Sequence, residues 1–194
     1  MKNRNRLHID WIIQLTFCAF ILSLAACKEN KASAQSSAKS GMRAPNIDIH
    51  TAVLTDNREV VKEHIEAGSD LNEIERIGGS SPLISAALFG KKEIAKMLIQ
   101  AGADLNLQNN DGSTALITAA FFCRPEIVKM LIDKKADMTL KNRYNQTAYD
   151  AVAGSFESVK PSYEMLGQML QPMGLKLDFE YLEKTRPEIA SLLK

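Results

Sequence analysis

Residues 81–106 read "SPLISAALFGKKEIAKMLIQAGADLN", and residues 114–139 read "TALITAAFFCRPEIVKMLIDKKADMT". The second stretch repeats the first at a step of 33 residues. Inside each copy the apolar residues follow helical spacing. Leu83, Ala86, Ala87 and Gly90 fall at i, i+3, i+4 and i+7, on one face of a helix. The alanines are small, as close packing between neighbouring units requires. Ile94, Met97 and Leu98, with Ala101 one turn on, form the stripe of a second helix, and Gly102 suits a left-handed helix stop. Asp111-Gly112 then supplies a turn. One such helix pair cannot bury its own apolar face, so stacked copies must provide the core.

Working outward, the period extends in both directions. "AGSDLN" (67–72) precedes "AGADLN" (101–106), and "KKAD" (134–137) follows. "TAYDAVA" (147–153) continues the series of "SPLISAA" and "TALITAA". "EVVKEHI" (59–65), "EIAKMLI" (93–99) and "EIVKMLI" (126–132) fall at matching places. These motifs together resemble the ankyrin repeat: a Thr-Pro-Leu-His opening, an Ala-Ala helix, a Gly turn, a Glu-Ile/Val-Val helix, then Gly-Ala-Asp and a hairpin. The resemblance covers about residues 46–153 and, with degenerate flanks, reaches the C-terminus. It implies an all-α solenoid of about four helix-turn-helix units with short β-hairpin connections and a C-terminal helical cap. The units are expected at about 46–76, 77–109, 110–142 and 143–174, with the cap at 175–194. In the first unit Ile47-Asp48-Ile49-His50 replaces the usual opening, and Glu63 and His64 make its second helix polar, as a solvent-facing terminal unit would be. In the fourth, the second helix "YEMLGQML" (163–170) is expected late, after an insertion "SFESVKPS", and Pro187 is expected to start a last helix.

The N-terminus has a different character. Lys2, Arg4 and Arg6 precede an apolar stretch from Trp11 to Ala26. A membrane span needs roughly 20 apolar residues, so the segment reads as a secretory signal. Its end, Leu24-Ala25-Ala26-Cys27, resembles the lipobox of bacterial lipoproteins. That resemblance implies cleavage after residue 26 and acylation of Cys27; the other reading is an ordinary signal peptide with an incidental cysteine. Lys28 stands where inner-membrane retention typically has Asp, which implies an outer-membrane lipoprotein facing the periplasm. Residues 28–45, "KENKASAQSSAKSGMRAP", have no apolar period and read as a flexible tether with a typical reach of roughly 23 Å.

The whole chain carries 24 Lys and Arg against 23 Asp and Glu, so nucleic acid is not an expected partner. Loss of Lys2, Arg4, Arg6 and Asp10 would leave a net charge of −1. It would also remove Cys18, and with Cys27 acylated Cys123 would be the only free thiol. No catalytic constellation is visible: there is no Gly-rich phosphate loop, no "GxSxG" and no "HExxH". No cofactor or metal is expected and the chain is not expected to be an enzyme. His50 occupies the place of the family's structural histidine, and His64 reads as a cap residue. Cys123 replaces the turn glycine and is either a tolerated small residue or a redox-sensitive thiol.

The remaining signal is a binding surface. Relative to Leu83, Leu88 and Phe89 lie at roughly 140° and 240° around the helix, away from the core stripe. Phe121 and Phe122 repeat the placement, and Leu54 occupies it in the first unit. The family resemblance implies that this slot faces a groove that varies with the partner, and that hairpin tips flank it: Ile74, Arg76 and Ile77; Gln108, Asn110 and Asp111; Lys141, Arg143 and Tyr144. The expected function is a membrane-tethered, periplasm-facing module that binds another protein without catalysis. An immunity protein against a secreted effector such as a phospholipase, or a regulator or protector of a periplasmic enzyme, are the alternatives. A competing expectation for Phe89, Phe121 and Phe122 is that they pack beneath the C-terminal extension.

Overall fold

The computed structural model describes residues 44–194; the signal segment, Cys27 and nearly all of the tether lie outside the described residues. Nine α-helices follow one another among the described residues: α1 (Ile49–Leu54), α2 (Arg58–Glu66), α3 (Pro82–Leu88), α4 (Lys92–Gln100), α5 (Ala115–Phe121), α6 (Pro125–Asp133), α7 (Asp150–Ala153), α8 (Phe156–Leu170) and α9 (Phe179–Leu192). A 3-10 turn, Gln171–Met173, follows α8.

The helices start where the repeat places a capping side chain. Ser81 and Thr114 accept from the backbone N–H groups of Ile84 and Ile117, and Pro82 and Pro125 sit in first turns, where a missing N–H costs nothing. Thr147 and Asp150 cap one another reciprocally, which lets the four-residue α7 form. The backbone turns to the left-handed region in three series at the repeat period: Asp56, Gly90 and Cys123 after the first helix of a pair, Gly68, Gly102 and Lys135 after the second, and Gly79, Gly112 and Asn145 at the connections.

Two helical layers result. α1, α3, α5 and α7 pack in succession as the first layer, and α2, α4, α6 and α9 as the second. Their contact buries Ala52, Ala86, Ala87, Ala119 and Ala120 completely, together with Ile94, Leu98, Val128 and Leu131. Burying a Leu or Ile side chain contributes about 1.5–3 kcal/mol, so the stripe sustains the stack. Asparagines stitch adjacent units: Asn72 accepts from Asp104 N–H and Asn106 from Asp137 N–H, each at 2.8 Å. Thr139 stands at the next place in that series. The connections close through single turn bonds, such as Asn109 N–H to Ser113 and Asn142 N–H to Gln146. They are hairpin-shaped turns, with no strand among the described residues.

The fourth unit departs from the expected boundaries. Its second-layer helix is α9, which packs against α6 and α7. The segment 175–194 is therefore not a separate cap, and 163–170 is not the paired helix. The residues read as an insertion, "SFESVKPS", instead open α8: Ser155 caps it and Pro161 lies within it. α8 is thus inserted whole between the two helices of the last pair. Pro187 also lies inside a helix, since Asp178 caps α9 nine residues earlier. An internal proline costs roughly 3 kcal/mol, and the burial of Leu182, Thr185, Arg186 and Ile189 along α9 outweighs it.

His64 is another departure. It is not a solvent-facing cap residue but is buried, its Nε2 donating to the Ile47 carbonyl at 2.8 Å and its Nδ1 bonded to the Ser69 hydroxyl at 3.0 Å. His50 donates from Nε2 to the Glu73 carbonyl at 3.0 Å, tying α1 to the first connection.

Candidate functional site

The three connections between units set their tips side by side. Asn110 N–H donates to the Gly78 carbonyl, and Arg143 N–H to the Asp111 carbonyl, both at 2.9 Å. Each tip is also braced from within. The Glu75 carboxylate accepts from the N–H groups of Ile77, Gly78 and Ser80. Asn109 accepts from Asp111 and Ser113, and Asn142 from Tyr144 and Gln146. Backbone donors that water would otherwise satisfy are taken up locally, so the tips are held in one shape.

Gln108 and Asn110, expected to contact a partner, serve this zipper. The Gln108 amide donates to the carbonyls of Gly112 and Lys141, and the Asn110 amide to that of Ile77. Their amide N–H groups brace their own and adjacent tips, so both residues serve as struts while their side chains stay exposed. The side chains left outward are Ile74 and Ile77, 60% and 66% exposed, Tyr144 at 51%, and the exposed Arg76, Asp111, Lys141 and Arg143. Partial burial, and then the Asp111 carboxylate, push the Tyr144 hydroxyl above its ordinary range.

The helical slot divides in two. Leu54, Leu88 and Phe89 are half-buried. Arg124 reaches back over the second turn, donating to the Leu88 carbonyl at 3.4 Å. It lies so close to Gly90 that an added Cβ would meet the guanidinium Nε at 2.9 Å. In the third unit the slot is filled by the chain itself. Phe122 is 6% exposed, and Phe121 stacks on Tyr163 of α8 with ring centroids 4.5 Å apart. Phe122 and Phe156 also meet the Tyr163 ring edge-on and stacked respectively, and Tyr163 donates its hydroxyl hydrogen bond to the Phe121 carbonyl. The expectation of an open binding ridge is corrected for Phe122, which is closed into this aromatic cluster, whereas Phe121 stacks on Tyr163 and stays half-buried like Leu88 and Phe89.

Arg186 locks that cluster. It is 2% exposed and donates to the Tyr163 hydroxyl oxygen at 3.0 Å and to the carbonyls of Ala151 and Gly154 at 3.1 Å each. Those carbonyls belong to the end of α7, where helix geometry leaves acceptors without partners. Tyr163, Phe156 and Arg186 had no sequence signal, because α8 breaks the 33-residue period. The bracing residues Asn109 and Asn142 did have one, being 33 apart.

Cys123 is fully buried, with φ of 53°. Burial pushes its thiol up to about 11, against smaller opposing effects of Arg186 and Arg124. Reactive cysteines are partly exposed and of low pKa, so the redox-sensitive alternative does not fit this site. Among the described residues no group of three or more His, Cys, Asp or Glu is placed to hold a metal ion.

Comparisons with known proteins agree with this architecture. A family model described as ankyrin repeats matches residues 49–142 in three copies. Among solved structures, the chain is similar to the crystal structure of the ankyrin repeat domain of Bcl-3, described there as a unique member of the IkappaB protein family, at 34% identity and a TM-score of 0.52. That likeness covers 53% of this chain and 45% of the other, so the chain spans less than half the length of the structure it matches. No curated protein matches the chain. Residues 49–142 therefore have the ankyrin-repeat fold, whose stacked units imply binding of other proteins.

Proposed function

We propose that the protein is a membrane-tethered binding module that occludes or holds another protein through its row of connection tips, without catalysis. The observation that carries the reading is the outward row of Ile74, Ile77 and Tyr144 on tips already braced and zipped together. Single exposed apolar side chains are ordinary. A row of them with arginines alongside has the composition of interface anchors. Because the tips are held before binding, little conformational entropy remains to be lost on association. Leu54, Leu88 and Phe89 extend the surface along the half-open slot.

The anchor and the address are part of the same proposal. Residues 1–26 are removed, Cys27 is acylated, and Lys28 sends the protein to the periplasmic side of the outer membrane; the order of basic, apolar and lipobox residues supports this. Cys27→Ser is expected to release the chain from the membrane fraction or leave it unprocessed, and an unchanged fractionation would count against the anchor.

The binding test is affinity purification from the native envelope with mass spectrometry, comparing wild type with Ile77→Asp/Tyr144→Asp. The double variant is expected to keep its melting temperature and lose the stoichiometric partner. Retention of that partner would remove the tip row as the site. A secreted effector as the partner would assign an immunity role, and a resident periplasmic enzyme would assign a regulatory or protective one.

A further inference from the structure

We propose that the outer face of α8 binds a soft monovalent metal ion, of the copper(I) and silver(I) class, through the thioether sulfurs of Met165, Met169 and Met173. This site is separate from the tip row and does not depend on it.

The apolar residues of α8 sort by type between its two faces. Phe156 and Tyr163 are buried, and Val159, Leu166 and Leu170 are half-buried. At 100° per residue, Met165 and Met169 stand about 200° and 240° around the helix from Tyr163, on the side away from that core. Met173 continues the spacing of four. The three are 40%, 44% and 42% exposed. A helix face turned to solvent ordinarily carries polar residues. Here the aromatic and branched side chains have gone inward, and the large apolar residues left outside all carry sulfur. Apolar character alone would not separate Met from Leu in this way, whereas metal ligation would.

The turn after α8 holds Met173 in place rather than leaving it on a frayed end. Gly174 N–H donates to the Gln171 carbonyl at 2.9 Å and Leu175 N–H to the Leu170 carbonyl at 3.2 Å, with Leu175 itself 3% exposed. Residues four apart on a helix have Cβ atoms about 5–6 Å from one another, and methionine's three free torsions let two such sulfurs turn toward one ion. Met165 and Met173 lie about 12 Å apart along the axis, too far to share an ion. Met169 is therefore the common ligand, paired with Met165 or with Met173. A neutral thioether is a soft donor that favours copper(I) over the harder divalent ions. Among the described residues no group of three or more His, Cys, Asp or Glu offers those ions a rival site.

The test uses the full chain in detergent, its reactive thiols blocked with N-ethylmaleimide, and silver(I) as a probe that does not change oxidation state. Methionine methyl groups are followed by NMR. Stoichiometric silver is expected to shift the signals of Met165, Met169 and Met173 and to leave those of the half-buried Met97, Met130 and Met138 in place. Zinc is expected to shift none. Leucine keeps the apolar volume and removes the sulfur, so leucine variants should hold their melting temperature. In competition with a copper(I) chelator, Met169→Leu is expected to lose at least about tenfold in affinity. Met165→Leu or Met173→Leu should each lose about half, because one of the two pairs remains. Absence of the three methyl shifts in the wild type would overturn the site, and that measurement needs no variant. Binding retained by the triple leucine variant, equal shifts with zinc, or a loss at Met169 no larger than at its neighbours would overturn it as well.

Discussion

"AALFG" and "AAFFC" occupy the same place in successive units, yet they meet different fates. In the second unit Leu88 and Phe89 remain half-buried, with only Arg124 laid across the turn. In the third, Phe122 is buried in the cluster around Tyr163 of α8 while Phe121 stays half-buried against that ring, and Cys123 is sealed beneath α9. The local sequence is nearly the same, and so are the helices. What differs is the neighbour: the second unit is followed by another regular unit, the third by one that carries an inserted helix. A repeat position therefore specifies where a side chain points relative to its own helix, and the element that follows decides whether solvent reaches it.

The largest expected effect separates the two slots directly. Phe122→Ala should cost about 3–5 kcal/mol in urea unfolding, because it opens a cavity in a packed aromatic cluster, while Phe89→Ala at the half-open slot should cost about 1–2 kcal/mol. Equal costs would mean that α8 does not seal the third slot. Arg186→Met comes next. It removes donors from the Tyr163 hydroxyl and from two carbonyls at the end of α7, and is expected to cost about 2–3 kcal/mol, with the loss concentrated in α8. Hydrogen exchange would locate it, and loss spread evenly over α1–α6 would contradict the proposed lock.

Cys123 gives a pH-dependent form of the comparison. Its folded thiol titrates near 11 against an ordinary value of 9.0. The unfolded chain therefore loses this proton first, so the stabilisation is complete below pH 9 and lost as pH rises through 11. Wild type should lose stability more steeply than Cys123→Ala over that window. Tyr163, also raised by burial, adds a slope above pH 10 that both proteins share. Iodoacetamide should leave native Cys123 unlabelled at neutral pH and modify it once Tyr163→Ala has loosened the cover. Labelling of the native wild type would refute the burial.

The smallest effect contrasts two left-handed positions. Lys135 is exposed with φ of 65°, and Lys135→Gly should stabilise by about 0.5–1 kcal/mol by removing a strained side chain. Cys123→Gly relieves the same strain but loses a fully buried thiol, so it should show no such gain.

Much of this was legible without coordinates. The 33-residue period, the alanine pairs, the capping Ser81 and Thr114, and the left-handed stops are local instructions, readable because each acts within a few residues of chain. They determined the stacked helix pairs and the existence of a row of tips. The sequence also marked Ile74, Ile77 and Tyr144 as outward residues, since turn tips stand clear of both helical layers. Three outcomes belonged to the tertiary structure alone. Gln108 and Asn110 act as struts, because Gln108 donates to its own tip and to the next unit and Asn110 to the preceding one. The partner of α7 proved to be α9, because a helix 26 residues further on from Ala153 satisfies the stack better than the one adjacent in sequence. Phe122 was closed off, and Phe121 partly covered, by Tyr163, which sits outside the repeat and so carries no periodic signal. Periodicity reports contacts made at a constant sequence separation; contacts made across an insertion have none, and only packing reveals them.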